Sequence, residues 1–212
     1  MTKPSDFFVG ILDFFAILMP GAIVTAILAP RFEHLVFGPL VKLPAGDAAS
    51  WAAFLVCAFF LGHLVFLVGS YIDPLYNRLR ERRSPYGNAS AYACATQIRD
   101  RLIDPNECVA LNTYQWSRSV LIASAPLAAD DVHRLEADSK FFRSMMIVCV
   151  LAAIVLLSGG HTLQGVVALV LVAPCFARYY ERRLKSTTQA YVHVITLYRT
   201  GLLKSLDGDE TA

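Results

Sequence analysis

The sequence predicts an all-α polytopic membrane protein with four transmembrane helices, a cytosolic helical insert between helices 2 and 3, and a C-terminal amphipathic helix. Three observations lead to this fold class. Four apolar stretches recur along the chain, at residues 6–29, 50–72, 141–158 and 163–177. Hydrophobic residues make up 56% of the chain and charged residues only 17%, against about 25% charged in a soluble domain. Arginines and lysines gather at the ends of the stretches, where the positive-inside rule expects cytosolic segments.

The first stretch, residues 6–29, is long enough to span a bilayer. A helix rising ~1.5 Å per residue needs about 20 apolar residues to cross ~30 Å of hydrocarbon. No small-residue cleavage pattern follows the stretch, so we expect this helix to be retained and not removed as a signal peptide. Pro20 removes a backbone hydrogen bond and Gly21 lowers local stiffness, which predicts a kink or break at this pair.

The second stretch, residues 50–72, carries small residues on one helical face. Ala58, Gly62 and Gly69 are spaced by four and seven residues, and together they would let another helix approach closely. This face is therefore the predicted packing surface of the helix. In the simpler interpretation, this face and the proline–glycine pair of the first helix do no more than assemble the bundle.

A basic segment follows the second stretch and has two interpretations. Its arginines would bind anionic lipid headgroups, at about 1 kcal/mol per basic residue near the surface, or they would only set the topology. Basic residues also flank the third stretch and follow the fourth. We therefore expect a four-pass inner-membrane protein with N and C termini in the cytoplasm and the outer loop 30–49 on the other side. The arginines after the second stretch are Arg78, Arg80, Arg82 and Arg83.

The insert, residues 73–140, is long enough for a small cytosolic domain and is predicted to be helical throughout. One helix is expected from Ala89 to Ile103. The run from Asp104 to Glu107 has the pattern of a capping box with proline at the first helical position, which predicts a second helix continuing through Asn112 to Val120. A third is expected to run from Pro126 to Val148 and so to continue from the cytosol into the membrane.

The chain after the fourth stretch predicts an amphipathic helix over residues 178–206, because its apolar residues recur every seven positions with a second row beside them. This stripe needs cover from the insert, from a neighbouring subunit or from lipid headgroups. Docking of a cytosolic protein is one interpretation, and packing in the core of the insert is the other. Candidate docking residues are Tyr114, Trp116, Leu184, Tyr191, Tyr198 and Leu202. The predicted domains are thus 1–72, 73–140, 141–177 and 178–206, followed by a disordered tail at 207–212.

Three ionisable residues in the apolar stretches, Asp6, Asp13 and His63, are functional candidates, since such groups are costly in a membrane and commonly mark functional sites. Asp13 and His63 lie at similar distances from the predicted cytosolic ends of their helices. We hypothesise that they form a hydrogen-bonded or ionic pair, within one subunit or between two, that senses protonation or lines an aqueous path. A buried polar pair that only fixes the helix register is the alternative.

The sequence lacks the common motifs of catalysis and metal binding. It contains no GxSxG, HExxH, phosphate-binding glycine loop or CxxC motif. The five cysteines are scattered and are interpreted as small apolar residues. We therefore expect no enzymatic activity, no metal and no cofactor. Nucleic-acid binding is disfavoured, because the cytosolic basic residues lie close to the membrane ends.

Two segments carry a resemblance to a known class of protein. The segment from Leu12 to Ala22, LDFFAILMPGA, and the segment from Arg134 to Arg143, RLEADSKFFR, resemble motifs of small bacterial inner-membrane proteins. The general plan is similar to that of membrane components of bacterial anti-phage defence systems, which act as sensors or membrane-disrupting effectors. The resemblance implies a role in antiviral defence and carries no catalytic residue.

These features predict a non-enzymatic, homo-oligomeric inner-membrane protein that couples a cytosolic signal or partner to the membrane, as a pore-type or membrane-disrupting effector. A change in the insert would pass along the helix from Pro126 to Val148 and reposition helix one about Pro20, and an ion leak would follow. A membrane sensor or anchor that recruits a cytosolic partner protein is the alternative. A small transporter or lipid-handling enzyme is the third, with Asp13 and His63 as its polar site.

Overall fold

The computed structural model describes residues 4–32, 48–83, 87–103 and 112–203, with side chains at 14, 16–30, 48–80, 90–103 and 112–203. Eight α-helices and their short connections account for these residues, and no strand occurs among them. The helices are α1 (Pro4–Phe32), α2 (Ala48–Ser70), α3 (Asp73–Arg83), α4 (Gly87–Leu102), α5 (Thr113–Ser124), α6 (Pro126–Ser158), α7 (Thr162–Val170) and α8 (Val172–Arg199).

The described part of the chain contains helices that are apolar and long enough to cross a membrane. Three segments qualify by length and composition, Ala48–Arg80, Pro126–Ser158 and Thr162–Arg199, and α1 contributes the shorter apolar stretch Ala16–Pro30. Large side chains that point outward from α2 and α7 are mostly apolar, as a lipid environment requires. The prediction of an all-helical protein with membrane-length apolar helices is confirmed, with three to four such helices.

The chain divides into two compact units, and each unit combines segments that are distant in sequence. The first unit comprises Met1–Tyr76 and Ala137–Arg182, and the second comprises Asn77–Glu136 and Arg183–Ala212. Both α6 and α8 contribute residues to each of them. With 33 residues, α6 contains the whole of the helix that the sequence predicts from Pro126 to Val148.

In the first unit, α1 and α2 pack with direct contact between their backbones. A Cβ atom added to Gly21 would overlap the carbonyl oxygen of Ala58 and would lie 2.6 Å from the backbone nitrogen of Gly62. A Cβ atom added to Gly62 would likewise meet the carbonyl oxygen of Ile17. Small residues commonly permit this close approach between membrane helices. Because Ile17 faces Gly62 while Gly21 faces Ala58, the two helices run antiparallel.

Helix α1 continues through its proline–glycine pair without a break. Pro20 and Gly21 lie inside the continuous helix, and both are buried. The hydroxyl group of Thr25, which is fully buried, donates a hydrogen bond to the carbonyl oxygen of Gly21 at 2.8 Å. Packing of this face on α2 therefore maintains the helix despite the hydrogen bond that proline removes. A kink at the pair stays a prediction.

A glycine turn reverses the chain between α6 and α7. Gly160 has a φ of 80°, which glycine adopts without a Cβ penalty. Its N–H donates to the carbonyl of Leu157 at 3.1 Å, and the N–H of His161 donates to the carbonyl of Leu156 at 2.9 Å, the two bonds of a Schellman motif. The reversal brings Gly165 of α7 against Leu157, so the two helices form a tight hairpin.

A one-residue interruption separates α7 from α8. Pro174 has no N–H to donate to the carbonyl of Val170, and Leu171 lies between the two helices as a turn. The N–H of Leu171 still bonds to the carbonyl of Val167 at 3.1 Å. The two helices together therefore form the single long segment Thr162–Arg199, which contains an apolar window long enough to cross a membrane.

The carboxyl end of α8 differs from the prediction. The amphipathic helix expected over residues 178–206 ends at Arg199. Gly201 adopts a φ of 77°, and the N–H of Leu202 bonds back to the carbonyl of Leu197 at 3.1 Å, which forms a second Schellman motif. The predicted helix is thus too long, because a glycine in the left-handed conformation stops it.

The second unit has its own apolar core, which draws residues from α4, α5, the start of α6 and the end of α8. The observed bounds of α4, Gly87–Leu102, nearly match those of the helix predicted from Ala89 to Ile103. The apolar stripe of α8 is covered by the helices of the insert within the same chain. The buried members of this core are Ile98, Trp116, Leu121, Ala129, Val132, Ala190, Val194 and Leu203.

Three of the six predicted docking residues, Tyr114, Trp116 and Tyr198, lie in or against this core. Trp116 and Tyr191 are only 6% and 4% exposed, so the prediction of an exposed docking surface is wrong for both. Their burial favours the alternative, in which these aromatic residues pack within the unit. The others differ in exposure: Tyr114, Leu184 and Tyr198 are partly buried, and Leu202 is exposed.

Helix α5 begins later than its predicted counterpart. The predicted helix passes through Asn112, whereas this residue is extended and forms the N-cap of α5. Its Oδ1 atom accepts from the backbone N–H of Gln115 at 2.9 Å, and its own N–H donates to Oε1 of Gln115 at 3.3 Å. This reciprocal pair is a capping box. The capping box predicted at residues 104–107 lies outside the described residues.

Candidate functional site

A polar cluster in the first unit forms where α2 gives way to α3. After Ser70, the N–H of Tyr71 donates to the carbonyl of Val68 at 3.2 Å, so the chain leaves α2 in a tight turn. Asp73 then begins α3, where a carboxylate is favoured by the helix dipole and Pro74 loses no helical hydrogen bond. The sequence thus fixes an acidic side chain at the point where the apolar helix ends.

Arg143 of α6 pairs with this acidic side chain. Its Nη1 atom donates hydrogen bonds to Oδ1 and Oδ2 of Asp73 at 3.0 and 2.9 Å. The side chain of Arg143 is only 5% exposed, and that of Asp73 is 28% exposed. The guanidinium group lies 4.7 Å from the ring centroid of Phe66, and a Cβ atom added to Gly69 would lie 3.4 Å from its Nε. A phenyl face and a glycine on α2 therefore accommodate the buried cation.

Tyr179 of α8 completes the cluster. Its hydroxyl group donates to Oδ1 of Asp73 at 2.6 Å, a length typical of a charge-assisted hydrogen bond. Tyr179 is fully buried, and its ring packs edge-on against Tyr76 with the centroids 5.7 Å apart. Tyr76 also contacts the ring of Tyr180 at 5.3 Å. We call Asp73, Arg143 and Tyr179 the Asp73 cluster.

The Asp73 cluster joins residues that are far apart in the chain. Asp73 is separated by 70 positions from Arg143 and by 106 from Tyr179. A buried ion pair adds little net stability, because the cost of removing both charges from water offsets their attraction. Removing one partner is nevertheless expensive, since the other charge is then left buried and unpaired. The cluster therefore favours one register between the start of α3, α6 and α8 over the others.

Each member of the cluster lies close in sequence to a boundary between the two units. These boundaries follow Tyr76, Glu136 and Arg182, and every cluster residue is within seven positions of one of them. The cluster thus belongs to the first unit and includes a residue from each of the three chain segments that continue into the second.

Two other polar groups of the first unit, an ion pair and a tyrosine hydroxyl, serve as comparisons for the cluster. Arg182 Nη1 lies 3.6 Å from Asp138 Oδ2, and these side chains are 32% and 36% exposed. Water screens such a pair, so its contribution is at most about 1 kcal/mol. The hydroxyl group of Tyr180 is buried and has no hydrogen-bond partner among the described residues. Tyr180 therefore differs from its neighbour Tyr179 in lacking a bond to the carboxylate.

The predicted intramembrane pair is described at one of its two positions. His63 is on the exposed side of α2, where its imidazole ring packs edge-on against Phe59 with the centroids 4.5 Å apart. The side chain of Asp13 lies outside the described residues, so the pairing stays a prediction. Of the small residues predicted to form a packing face, Ala58 and Gly62 contact α1, whereas Gly69 contacts Arg143 of α6.

The predicted lipid-headgroup residues lie on α3. Arg78 is exposed and Arg80 is partly buried. The side chains of Arg82 and Arg83 lie outside the described residues, so both interpretations of this basic segment stay open. In the part of the chain that the structure describes, no group of three His, Cys, Asp or Glu residues is placed to hold a metal ion.

A second buried polar contact lies in the second unit. The hydroxyl oxygen of Tyr114 is 3.2 Å from Oγ of Ser186, which also donates to the carbonyl of Val132 at 3.5 Å. Burial raises the pKa of Tyr114 above 10.0, the hydrogen bond with Ser186 lowers it, and the nearby charge of Glu136 raises it. The neutral phenol is therefore favoured in the folded state.

This pKa shift predicts how the stability of the second unit depends on pH. Because the pKa of Tyr114 is higher in the folded than in the unfolded chain, its contribution to stability is fully present below pH 10.0 and decreases as the pH rises further. Tyr114→Phe should remove this part of the alkaline loss and cost about 1 kcal/mol at neutral pH through the lost hydrogen bond. Alkaline titration followed by the fluorescence of Trp116, in a Trp51→Phe background that removes the second tryptophan, would measure both effects. An unchanged alkaline slope in Tyr114→Phe would contradict the prediction.

Comparison of the chain with protein-family models, with curated proteins and with solved structures gives no match. The functional interpretation therefore depends on the geometry of the Asp73 cluster. From the sequence alone, Asp73 is the first residue of the insert and Arg143 is a basic residue at the flank of the third apolar stretch, and nothing relates the two. The sequence does contain one signal for this site, an aspartate directly after an apolar helix and before an arginine-rich segment. A negative charge is unexpected there, because the residues that follow are mostly basic.

Proposed function

We propose that this protein is a non-enzymatic, homo-oligomeric inner-membrane protein that couples an event at its cytosolic helical unit to an ion leak across the membrane. The supporting observation is the Asp73 cluster, whose ion pair and tyrosine hydrogen bond together involve one residue from each of the three chain segments that continue from the first unit into the second. Four membrane passes with both termini in the cytoplasm are part of the proposal, as the distribution of basic residues favours.

The proposed mechanism is a switch between a closed and an opened Asp73 cluster. An event in the second unit that displaces α6 or α8 separates Arg143 or Tyr179 from the carboxylate. Separation of Arg143 leaves two unpaired charges in an apolar surrounding, and separation of Tyr179 removes one hydrogen bond from the carboxylate and so weakens the cluster. Either change favours the entry of water. Water in the membrane part of the bundle begins the leak. A depolarising effector of anti-phage defence is the biological role that this mechanism fits.

A matched pair of conservative variants tests the proposal. Tyr179→Phe keeps the ring and removes the hydrogen bond to Asp73, which at about 1.5–3 kcal/mol for a bond to a charged group shifts the balance towards the opened cluster by tenfold or more. We expect stronger depolarisation than with the wild type in cells that contain equal amounts of membrane-inserted protein. A potential-sensitive dye measures the effect. Tyr180→Phe is the control, since its hydroxyl group has no partner among the described residues.

Two outcomes would contradict the proposed leak. In the first, inserted wild type and Tyr179→Phe both leave the membrane potential unchanged. In the second, Tyr180→Phe depolarises cells as strongly as Tyr179→Phe, so that the bond to Asp73 is irrelevant. Capture of a defined cytosolic partner by a protein that is silent in the potential assay would instead support the membrane sensor or anchor.

A further inference from the structure

Two cysteines from different helices meet in the first unit. Cys149 lies in the apolar part of α6, and Cys175 lies in the first turn of α8. Their thiol groups are hydrogen-bonded to each other, and both residues are free cysteines. Cys149 is buried and Cys175 is partly buried. We call these two residues the cysteine pair.

The hairpin that α6 forms with α7 and α8 brings the two thiols together. At its closed end, Gly165 packs against Leu157. Cys149 precedes Leu157 by eight positions, and Cys175 follows Gly165 by ten. Because residues at equal distances from such a contact lie opposite each other in antiparallel helices, the spacing agrees with the thiol contact to within two residues.

The apolar packing beside the pair gives the same register. Cys175 packs against a buried cluster that consists of Tyr76, Met146 and Tyr179. Met146 is about one turn before Cys149 on α6, and Tyr179 is about one turn after Cys175 on α8. The contact between the thiols therefore continues the packing of α6 on α8 one turn further from the Asp73 cluster.

The surroundings of the pair determine which oxidants reach it. Residues 145–157 and 163–177, which contain the two cysteines, include no charged side chain. Cys149 lies six positions beyond Arg143, about 9 Å along α6 and into this apolar part. Glutathione, which keeps cytosolic thiols reduced, is charged and is excluded from hydrocarbon. An oxidant of the pair must therefore be neutral and soluble in lipid.

We propose that the cysteine pair is a redox modification site, at which a lipid-soluble quinone oxidises the two thiols to a disulfide within one chain. Two S–H bonds break and one S–S bond forms, while two electrons and two protons reduce the quinone to the hydroquinone. Membrane quinones are the final electron acceptor when bacteria form disulfides in the periplasm. Since the two thiols are already in contact, the bond needs little movement of α6 or α8.

The disulfide would hold the Asp73 cluster closed. This consequence rests on the proposed function, in which displacement of α6 or α8 separates Arg143 or Tyr179 from Asp73. Cys175 lies four positions before Tyr179, about 6 Å along α8. A covalent bond between α6 and α8 at this distance restricts their displacement, so the oxidised protein stays in the closed state.

Counting the free thiols of the wild-type protein tests the site. Membranes are treated with a fully substituted benzoquinone, which has no open ring position for thiol addition, then denatured and alkylated with N-ethylmaleimide. Both cysteines lie in one tryptic peptide, residues 144–178, which has no internal lysine or arginine. We expect this peptide to carry two labels before oxidation, none after it, and two again when dithiothreitol precedes alkylation. Without reductant, the oxidised protein should still migrate as a monomer.

Two variants test whether the reaction needs this pair. In Cys175→Ala, the peptide should keep its one label, because Cys149 alone cannot form the bond. Cys149→Ala with Val150→Cys moves the thiol about 100° around α6, to a position that is 38% exposed, and should keep both labels.

Four outcomes would overturn the modification site. The wild-type peptide keeps both labels, or Cys175→Ala loses its label as readily, which indicates oxidation to sulfinic acid. The variant with Val150→Cys forms the bond as well as the wild type does. Copper phenanthroline forms the bond but the quinone does not, so that the sulfur atoms are adjacent without being a site of quinone oxidation.

Proteoliposomes with an imposed potassium diffusion potential test the consequence for the leak, and a potential-sensitive dye reports the decay. We expect Tyr179→Phe, which favours the opened cluster, to leak when reduced and to lose this leak when oxidised. With Cys149→Ala added, it should leak in both states. An oxidised Tyr179→Phe protein that leaks as fast as the reduced one would overturn the closing effect.

These measurements separate the modification site from the proposed function. A disulfide in a protein that does not leak in either redox state would overturn the proposed leak and support the modification site. A leak from a protein that forms no disulfide with the quinone would overturn the modification site alone.

Discussion

Replacing Asp73 by alanine is expected to lower the free energy of unfolding of the detergent-solubilised protein by about 3 kcal/mol. The change leaves the guanidinium group of Arg143, whose side chain is 5% exposed, without its carboxylate. Breaking one side of a buried ion pair costs ~3–5 kcal/mol, and the partial exposure of Asp73 places the effect near the lower limit. The hydroxyl group of Tyr179 also loses its acceptor. Unfolding by sodium dodecyl sulfate in mixed micelles measures the loss.

Two further variants test whether the buried, unpaired charge of Arg143 causes this loss of stability. Asp138→Ala breaks the more exposed pair with Arg182 and should cost less than about 1 kcal/mol. Replacing both Asp73 and Arg143 by apolar residues, as in Asp73→Leu with Arg143→Met, should recover most of the stability, because no charge is then left unpaired. Equal losses in Asp73→Ala and Asp138→Ala would contradict this explanation.

Replacing Gly21 by leucine is expected to destabilise the protein by at least about 3 kcal/mol, at or beyond the upper end of the usual cost of overpacking. A side chain at this position overlaps the carbonyl oxygen of Ala58 and approaches the backbone of Gly62. Backbone atoms cannot rotate away as a side chain can, so α1 and α2 must separate. The midpoint of unfolding in detergent and the amount of inserted protein both report the effect.

Ala26→Leu is the matched control for this change. Ala26 lies on the same helix but is exposed, so the added side chain points away from α2. We expect its midpoint to stay close to that of the wild type. If Gly21→Leu and Ala26→Leu behaved alike, the close contact between the backbones of α1 and α2 would not be a determinant of stability.

Much of the fold follows from patterns that are local in sequence. Apolar stretches of membrane length predict α2 and α6 because a helix is the simplest way to satisfy backbone hydrogen bonds in lipid. The first and last residues of a helix are harder to predict where more than one residue could cap it. Asn112 has a partner three positions later in Gln115 and forms the observed cap of α5, and Gly201 ends α8 before its predicted limit.

The contacts within the candidate site are much harder to predict from the sequence. Asp73 and Arg143 are separated by 70 positions, and no periodicity within a helix relates them. Gly69 was correctly identified as a small residue of α2, yet its neighbour is the side chain of Arg143 and not another helix backbone. A sequence shows which residues are unusual in an apolar helix, but which of them meet depends on how the helices pack.

The second unit is built from two segments that are distant in sequence, so its core cannot be completed until both have been synthesised. Its core needs Ala190 and Val194 of α8 as well as Trp116 of α5, which leaves the ribosome roughly 70 residues earlier. At 5–20 residues per second, several seconds pass before the core is complete. During that interval the nascent insert presents apolar side chains to chaperones and proteases. A chain that ends before α8 would keep that surface open, so cellular quality control would act on truncated products before they accumulate.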